Sequence, residues 1–262
     1  MMTKTKNIPL SFSSIASKQT CLMVKAMLIV LFVIPHSIWA QETMVNIRGV
    51  VTDFDDHPIA GADVFVQDAD FNDLYHVQCD DKGRYVLRIP AGSYPYLSAI
   101  KEENYPISSR FNKRVEDARL EFWSWGFIAD RDTTLHIRYH KMEVYGVNVF
   151  RVQGATPAYQ IYVRPMSLTR YMAWMADQTK PSHLAPSIER VKVKVDIDGE
   201  PVELLHKQPV SEYVSPTQMM DAYLLTVAMP KKVSLRPYSV FRVVLEDMDN
   251  GDKGEALYYL KK

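Results

Sequence analysis

Four apolar side chains, Val191, Val193, Val195 and Ile197, alternate with Arg190, Lys192, Lys194 and Asp196. A period of two with one apolar side belongs to a sheet that has one buried and one wet face. This strand runs into Asp198-Gly199, a strong two-residue hairpin signal, and residues 202–205 are expected to return from it. The same alternation recurs at residues 45–51, 84–89 and 134–140, and again at Phe241, Val243 and Leu245, from which a polar loop through Asn250-Gly251 leads to residues 256–260. Helical periodicity is scarce. Residues 166–189 are the least strand-like, with one helical turn expected around residues 168–176, and Ser215-Pro216 is expected to open a second short helix before the strand-like residues 223–227. Many short antiparallel strands without intervening helices predict an all-β fold built of β-sandwiches. A strand ends and a new apolar series (Val144, Val147, Val149) begins near residues 141–143, which predicts two closely abutting sandwich domains, 44–141 and 142–262.

The N-terminus carries a different pattern. Residues 1–40 hold Lys4, Lys6, Lys18 and Lys25 and no acidic residue, then the apolar run 26–34, then Pro35 and the small residue Ala40 before Gln41. That order is a secretory signal peptide, with cleavage expected near Ala40. The apolar run is far short of the ~20 residues that span a bilayer, so no permanent membrane span is expected after cleavage. Met23 opens a more compact signal than Met1, which leaves either as the start. Cys21 precedes the apolar run and is misplaced for a lipoprotein cysteine, so the product is expected to be soluble, periplasmic or secreted. Cleavage lowers 31 basic residues to 27 against 31 acidic ones, and nothing in that balance suggests nucleic acid. Only Cys79 remains, so core burial rather than a disulfide must hold the chain together.

Within the first half, an ordered set of short motifs stands out. It comprises Gly49-Val50-Val51-Thr52-Asp53, Pro58-Ile59-Ala60-Gly61-Ala62 with Val64-Phe65-Val66, Asp81-Lys82-Gly83-Arg84-Tyr85, Pro90-Ala91-Gly92-Ser93-Tyr94, Tyr105, and a closing Asp132-Thr133-Thr134-Leu135-His136-Ile137. This set resembles the carboxypeptidase regulatory-like domain family over roughly residues 44–140. The resemblance implies a transthyretin-like (prealbumin-like) seven-stranded sandwich, a fold common in secreted and envelope proteins, and it implies no activity. The family is named for an accessory domain beside a zinc peptidase, and the peptidase part is missing here. Gly61 and Gly83 fall where the chain must reverse, a place that favours positive φ, and Tyr85 and Tyr94 are expected to fill the core. Residues 101–119 are longer and more charged than the family pattern between its late strands. The second half carries no such resemblance, and strand count alone predicts an immunoglobulin-like sandwich.

Catalytic and metal patterns are weak. None of His57, His76, His136, His183 or His206 has a Glu three residues on. His136 and His140 share a strand face but stand about 13 Å apart at ~3.3 Å per residue, too far for one metal with ~2 Å bonds. The acidic loop 246–252 fails the EF-hand spacing, because Met248 falls on a ligand position, and reads as a solvated hairpin tip. Asp68, Asp70 and Asp73 read as turn chemistry. Cys79 lies beside Asp80 and Asp81, which should raise its thiol pKa. No nucleophile elbow, phosphate loop or dinucleotide fingerprint occurs. No catalytic residue, metal or cofactor is predicted.

Aromatic residues give the one suggestive signal. Ala118, Leu120 and Phe122 alternate with Arg119, Glu121, Trp123 and Trp125, placing two indoles on a face that begins polar. Two readings stay open. The indoles are exposed and stack on sugar rings or dock a partner, or they are buried against the second half or turned inward by a bulge at Gly126. Tyr171 and Trp174 form a second such pair. The function expected is that of an exported, non-catalytic accessory protein binding a carbohydrate or an envelope protein partner. A structural or adhesion subunit with sandwiches as spacers is the alternative, and a hydrolase with an unrecognised site is the third.

Overall fold

A computed structural model describes residues 42–262 apart from 109, 112, 155, 180, 181, 217 and 233; the expected signal peptide lies outside the described residues. The alternating segments form strands throughout, and the fold is all-β. In the first half, β1 (Met44–Thr52) and β4 (Arg84–Pro90) pair antiparallel with Ile47 opposite Leu87, and β9 (Thr133–Thr134) and β10 (Ile137–Arg138) run parallel along β1. The facing layer is β3 (Asp73–Gln78), β2 (Asp63–Gln67), β6 (Tyr96–Ile100) and β7 (Phe122–Trp125), in that spatial order. Two short strands, β5 (Gly92–Ser93) and β8 (Ile128–Ala129), pair with each other. Ile47, Val51, Leu87 and Ile89 from one layer meet Val64, Val66, Leu97 and Phe122 from the other in a single core. Each such side chain stabilises the fold by about 1.5–3 kcal/mol through removal of apolar surface from water. Tyr85 is buried in this core and donates its hydroxyl to the Leu135 carbonyl at 2.7 Å, whereas Tyr94 sits at the rim and donates to Pro90. Gly83 has φ +70, and a Cβ there would lie 2.4 Å from the Val51 carbonyl oxygen, so glycine is required at this reversal.

The second half repeats the sandwich principle. One layer is β11 (Met142–Phe150), β12 (Ala158–Ser167), β16 (Gln218–Ala228) and β15 (Leu204–Ser215), antiparallel and in that order. Its partner layer is β14 (Glu200–Val202), β13 (Val191–Ile197), β17 (Tyr238–Asp247) and β18 (Lys253–Lys261). Val144, Ile161, Val163, Leu225, Phe241, Val243 and Leu245 form the core between them. Asp198 (φ 53) and Gly199 (φ 83) make the predicted tight turn between β13 and β14. The helical turn expected around residue 168 is α1 (Leu168–Ala176), where the Ser167 hydroxyl accepts from the Arg170 N–H as N-cap. No helix starts at Ser215-Pro216. The pairing of β15 with β16 continues to Ser215 opposite Gln218, so cross-strand hydrogen bonding overrides the local Ser-Pro signal.

The two halves are joined in one sheet. β18 pairs with β7 in parallel, Ala256 opposite Trp123 and Tyr258 opposite Trp125, which makes an eight-stranded sheet ordered β14-β13-β17-β18-β7-β6-β2-β3. Side chains alternate across it. Leu257 and Tyr259 enter the first core while Ala256 and Tyr258 pack in or against the second, so the two covering layers lie on opposite faces and at opposite ends. The passage from one core to the other falls between β10 and β11, near residues 141–143, but the shared sheet runs on through both halves.

β18 and β11 approach closely where the second core begins, and a Cβ on Gly254 would lie 2.0 Å from the Met142 carbonyl oxygen. Backbone cannot retreat there without opening the sandwich. Gly254→Ala is expected to cost at least about 2 kcal/mol, lowering Tm by roughly 4–8 °C in calorimetry. Gly92→Ala, where the nearest atoms lie at ordinary van der Waals distance, should stay within about 1 kcal/mol of the parent. Equal stability of the two variants would show that the approach at Gly254 is not needed.

Candidate functional site: the uncovered aromatic face

Because the covering layers are offset, one end of each face of the shared sheet is left bare. On the face that carries Trp123 and Trp125, the bare end consists of β7, β6, β2 and β3. Register sets its rows: Trp125, Tyr96 and Gln67 in one, then Trp123, Ser98, Phe65 and His76, then Ile100, Asp63 and Gln78. Rings dominate the surface. Phe65 stacks on His76 with centroids 4.7 Å apart, and Phe71, from the β2–β3 turn, stacks on Tyr96 at 4.5 Å with planes 7° apart. Trp123 and Trp125 stack at 5.4 Å, and Tyr96 stands edge-on to both. Polar groups frame the rings. Asp63 is paired with His76 at 2.8 Å, and Gln67 bridges Ser98 and Asp73.

The far wall comes from the edge of the second covering layer. A one-residue β-bulge in β11, with Gly146 at φ +62, shifts the register between Tyr145 and Asn148. Tyr145 then meets both indoles at 87°, with centroids 5.7 and 5.0 Å away, and the Arg164 guanidinium lies over its ring at 4.8 Å. Trp123 is therefore 7% exposed rather than an open platform, and its Nε1–H donates to Glu143 at 3.0 Å. Trp125 is half-buried, packed against the second core. Gly126 has φ +61 and follows the pair without turning it out of the sheet face. Tyr171 and Trp174 lie apart from this surface on α1, both half-buried and tilted at 6.2 Å, with Tyr171 against a small cluster around Leu120 and Leu168.

One exposed ring of this surface was not visible in the strand pattern. Phe71 is 43% exposed and has φ +62, a conformation that strains a bulky side chain. The turn holds it there, since Asp68 accepts from the N–H groups of Asp70 and Asn72. A signal for Phe65 did exist in its alternation with the buried Val64 and Val66.

Beneath Trp123 lies a pair of carboxyl groups. Glu143 is 7% exposed, and Glu121 hydrogen-bonds to it. Burial, then the charge of its neighbour, pushes Glu121 up to about 8. Burial also raises Glu143, but the bonds it accepts from Glu121 and Trp123 favour its charged form. Burial thus raises both carboxyl groups, and the pair holds a proton more firmly than free glutamates do. A direct hydrogen bond leaves no room for the scissile oxygen that glycosidase carboxylates flank at separations of about 5 Å or more.

Other polar groups resolve into structural roles. In the acidic loop, Asp247 pairs with Arg170, Asp249 with Arg170 and Arg190, and Asp252 accepts from Ser167 and Thr169. Asp247 and Asp252 are buried, so the loop is a buckle holding α1 to the β17–β18 turn and not the solvated tip expected. Cys79 is 5% exposed, and burial, then Asp63 and Asp80, push its thiol up to about 12. His140 is pulled down to about 4 by burial, then by Arg119 and Lys141. Asp53, Asp55 and His57 offer ligand atoms within 4.8 Å of one another, but Asp53 already accepts from the backbone N–H groups of Asp55 and His57. Ser187, His183 and Asp221 line one basin, and His183 pairs with Asp221 at 3.1 Å. No hydrogen bond links Ser187 to His183 among the described residues. No helix among the described residues is long and apolar enough to cross a membrane.

No protein-family model matches this chain, and no curated protein matches it in sequence. Among solved structures it is similar to a proposed carbohydrate-binding protein from Bacteroides uniformis, at 11% identity and TM-score 0.27 over 83% of this chain and 99% of that one. It is also similar to BcpA, the major pilin subunit of Bacillus cereus (12%, TM-score 0.25, 84% of this chain and 69% of that one). The major pilin SpaD of Corynebacterium diphtheriae is a third (10%, TM-score 0.22, 82% and 64%). Scores at this level carry no ligand, partner or activity across.

The shared proton makes stability depend on pH with a defined sign. An unfolded glutamate titrates near 4.5, and Glu121 in the fold near 8. The folded chain therefore holds a proton that the unfolded chain releases. The contribution is fully present below pH 4.5 and is lost as pH rises through 8. The Tm of the parent, measured against that of Glu121→Gln, should fall by at least about 3 °C between pH 6 and pH 9. A constant difference over that range would show that the pair does not share a proton.

Proposed function

We propose that the mature chain is an exported, non-catalytic binding module of the cell envelope that holds a saccharide against the aromatic end of its shared sheet. The first half serves in this reading as a carboxypeptidase regulatory-like accessory domain, and the export signal in residues 1–40 sets its place outside the cytoplasm. The supporting observation is the strained Phe71, kept at φ +62 and stacked in parallel on Tyr96 at the open edge of a ring-lined sheet face. An L-residue in the left-handed region costs about 1–2 kcal/mol, and glycine would remove that cost. The phenyl ring there stacks on Tyr96 and stands edge-on to Trp123, so it extends the ring surface beyond the turn. Flat apolar rings suit the C–H faces of pyranoses, while Asp63, Gln67, Asp73, His76 and Gln78 at the margins offer partners for hydroxyl groups. The opposite sheet of the first half shows the contrast, since its outward positions carry Asn46, Arg48, Arg84 and Arg88 with the aliphatic Met44, Val50 and Val86, and no ring.

The test uses neutral polysaccharides in affinity electrophoresis, with calorimetric titration of the glycan that retards the parent. Phe71→Gly should keep Tm within about 3 °C of the parent, because relief of backbone strain offsets the lost stacking. The same variant should weaken binding about tenfold, as should Tyr96→Ala. No retardation of the parent by any neutral glycan, or full binding by Phe71→Gly, would overturn the reading.

A further inference from the structure

The opposite face of the shared sheet also has a bare end, and its chemistry is different. There the rows of β13, β17 and β18 are Lys192, Glu246 and Lys253, then Lys194, Val244 and the buried Glu255, then Asp196, Arg242 and Leu257, the last covered by the first core. Phe54 and Arg138, from the first half, stand against these rows and close a basin of about 300 Å³. Four cations line it, Arg138, Lys192, Lys194 and Lys253, against two carboxylates, Asp196 and Glu246.

The pairing within the basin leaves positive charge in excess. Glu246 is shared between Lys192 and Lys253 at 3.6 and 3.7 Å, beyond good hydrogen-bond length for both. Lys194 has no ion-pair partner among the described residues. Asp196 stands in register with Arg242, at the row farthest from Lys192 and Lys253. Beneath them Glu255, its side chain fully buried, accepts from Arg138 at 2.8 and 3.2 Å and from Arg242 at 3.0 and 3.2 Å. Two guanidinium groups on one buried carboxylate again leave one positive charge over. This anchoring also fixes Arg138, whose guanidinium lies 5.1 Å from the Phe54 ring centroid and whose side chain is 35% exposed. A guanidinium held from behind by a carboxylate and against one ring face loses little freedom when it meets a ligand.

We propose that this basin binds an oxyanion (a sulfate, phosphate or carboxylate group), with Arg138 and Lys194 as its main contacts and Lys192 and Lys253 as flanking charges. Its volume suits one anionic group or one acidic sugar residue. The site is separate from the aromatic face, on the other side of the same sheet, and does not depend on what that face binds.

Thermal shift and titration calorimetry with sodium sulfate, sodium phosphate and sodium glucuronate test the proposal, each against sodium chloride at equal ionic strength. The parent should show saturable stabilisation by at least one of these anions beyond the chloride control. Lys194→Gln/Lys253→Gln removes two lysines that anchor no buried group, and it should weaken that anion about tenfold with an unchanged Tm in its absence. Lys82→Gln/Lys261→Gln, two exposed lysines elsewhere, should bind like the parent. Dextran sulfate against neutral dextran then separates the sources. Saturation by the free ions marks a small-anion site, and retardation by dextran sulfate alone marks a polymer-borne anion. A parent that responds no more than to chloride and is retarded equally by both dextrans would overturn the proposal. Equal weakening in the two lysine pairs, or none in Lys194→Gln/Lys253→Gln, would do the same.

Discussion

The parallel pairing of β18 with β7 is the contact on which the rest of this architecture depends. It joins strands from the two halves of the chain, Ala256 beside Trp123 and Tyr258 beside Trp125. Without it there would be two ordinary sandwiches. With it, four strands from each half become one sheet, and each half buries its own covering layer on a different face. Alternation of side chains makes this arrangement consistent, because neighbouring residues of β18 serve the two cores in turn. Each covering layer removes one end of a face from water, and the other end of that face carries the remaining exposed side chains, among them Phe71 and His76 on one face and Lys192 and Lys194 on the other.

The remainders differ because of what surrounds them. On the Trp123 face, the bulge at Gly146 brings Tyr145 against the indoles, and the β2–β3 turn brings Phe71 over Tyr96. The rings there support one another, and buried Glu143 accepts from the Trp123 indole N–H, whereas the buried Trp125 Nε1 has no hydrogen-bond partner among the described residues. On the opposite face, rows of lysine and arginine lean on two carboxylates, one of them buried. A ring-lined surface and a basic one thus lie on opposite sides of one eight-stranded sheet. Few loops intervene, so both surfaces rest on elements whose positions are set by backbone hydrogen bonding.

Much of the local structure could be read from particular residues. Val191 to Ile197 alternates in the structure as it does in the sequence, Asp198-Gly199 turns, and Leu168–Ala176 is helical. Ser215-Pro216 was misleading, since pairing across β15 and β16 outweighs a local helix signal. The acidic loop was legible as a loop but not as a buckle, because its partners Arg170 and Arg190 lie some sixty to eighty residues away. Trp123 and Trp125 were located on the right face of their strand. Their degree of exposure was not, as it depends on Tyr145 and Glu143 arriving from the other half of the chain. Phe71 carried no periodic signal because turn residues are chosen for φ rather than for face.

By itself the sequence determined the strand period and the turns that demand glycine, because each is a property of a few neighbouring residues. Only the tertiary structure decided that the two halves share one sheet, that Trp123 is buried while Phe71 is not, and that the cations of β13, β17 and β18 gather around Arg138. Those outcomes rest on contacts between residues distant in sequence, from Trp123 with Glu143, twenty positions apart, to Trp123 with Ala256 and Arg138 with Glu255, more than a hundred apart. Alternation states that a side chain lies on one face of a strand. Which layer then covers that face is settled by the packing of the whole chain.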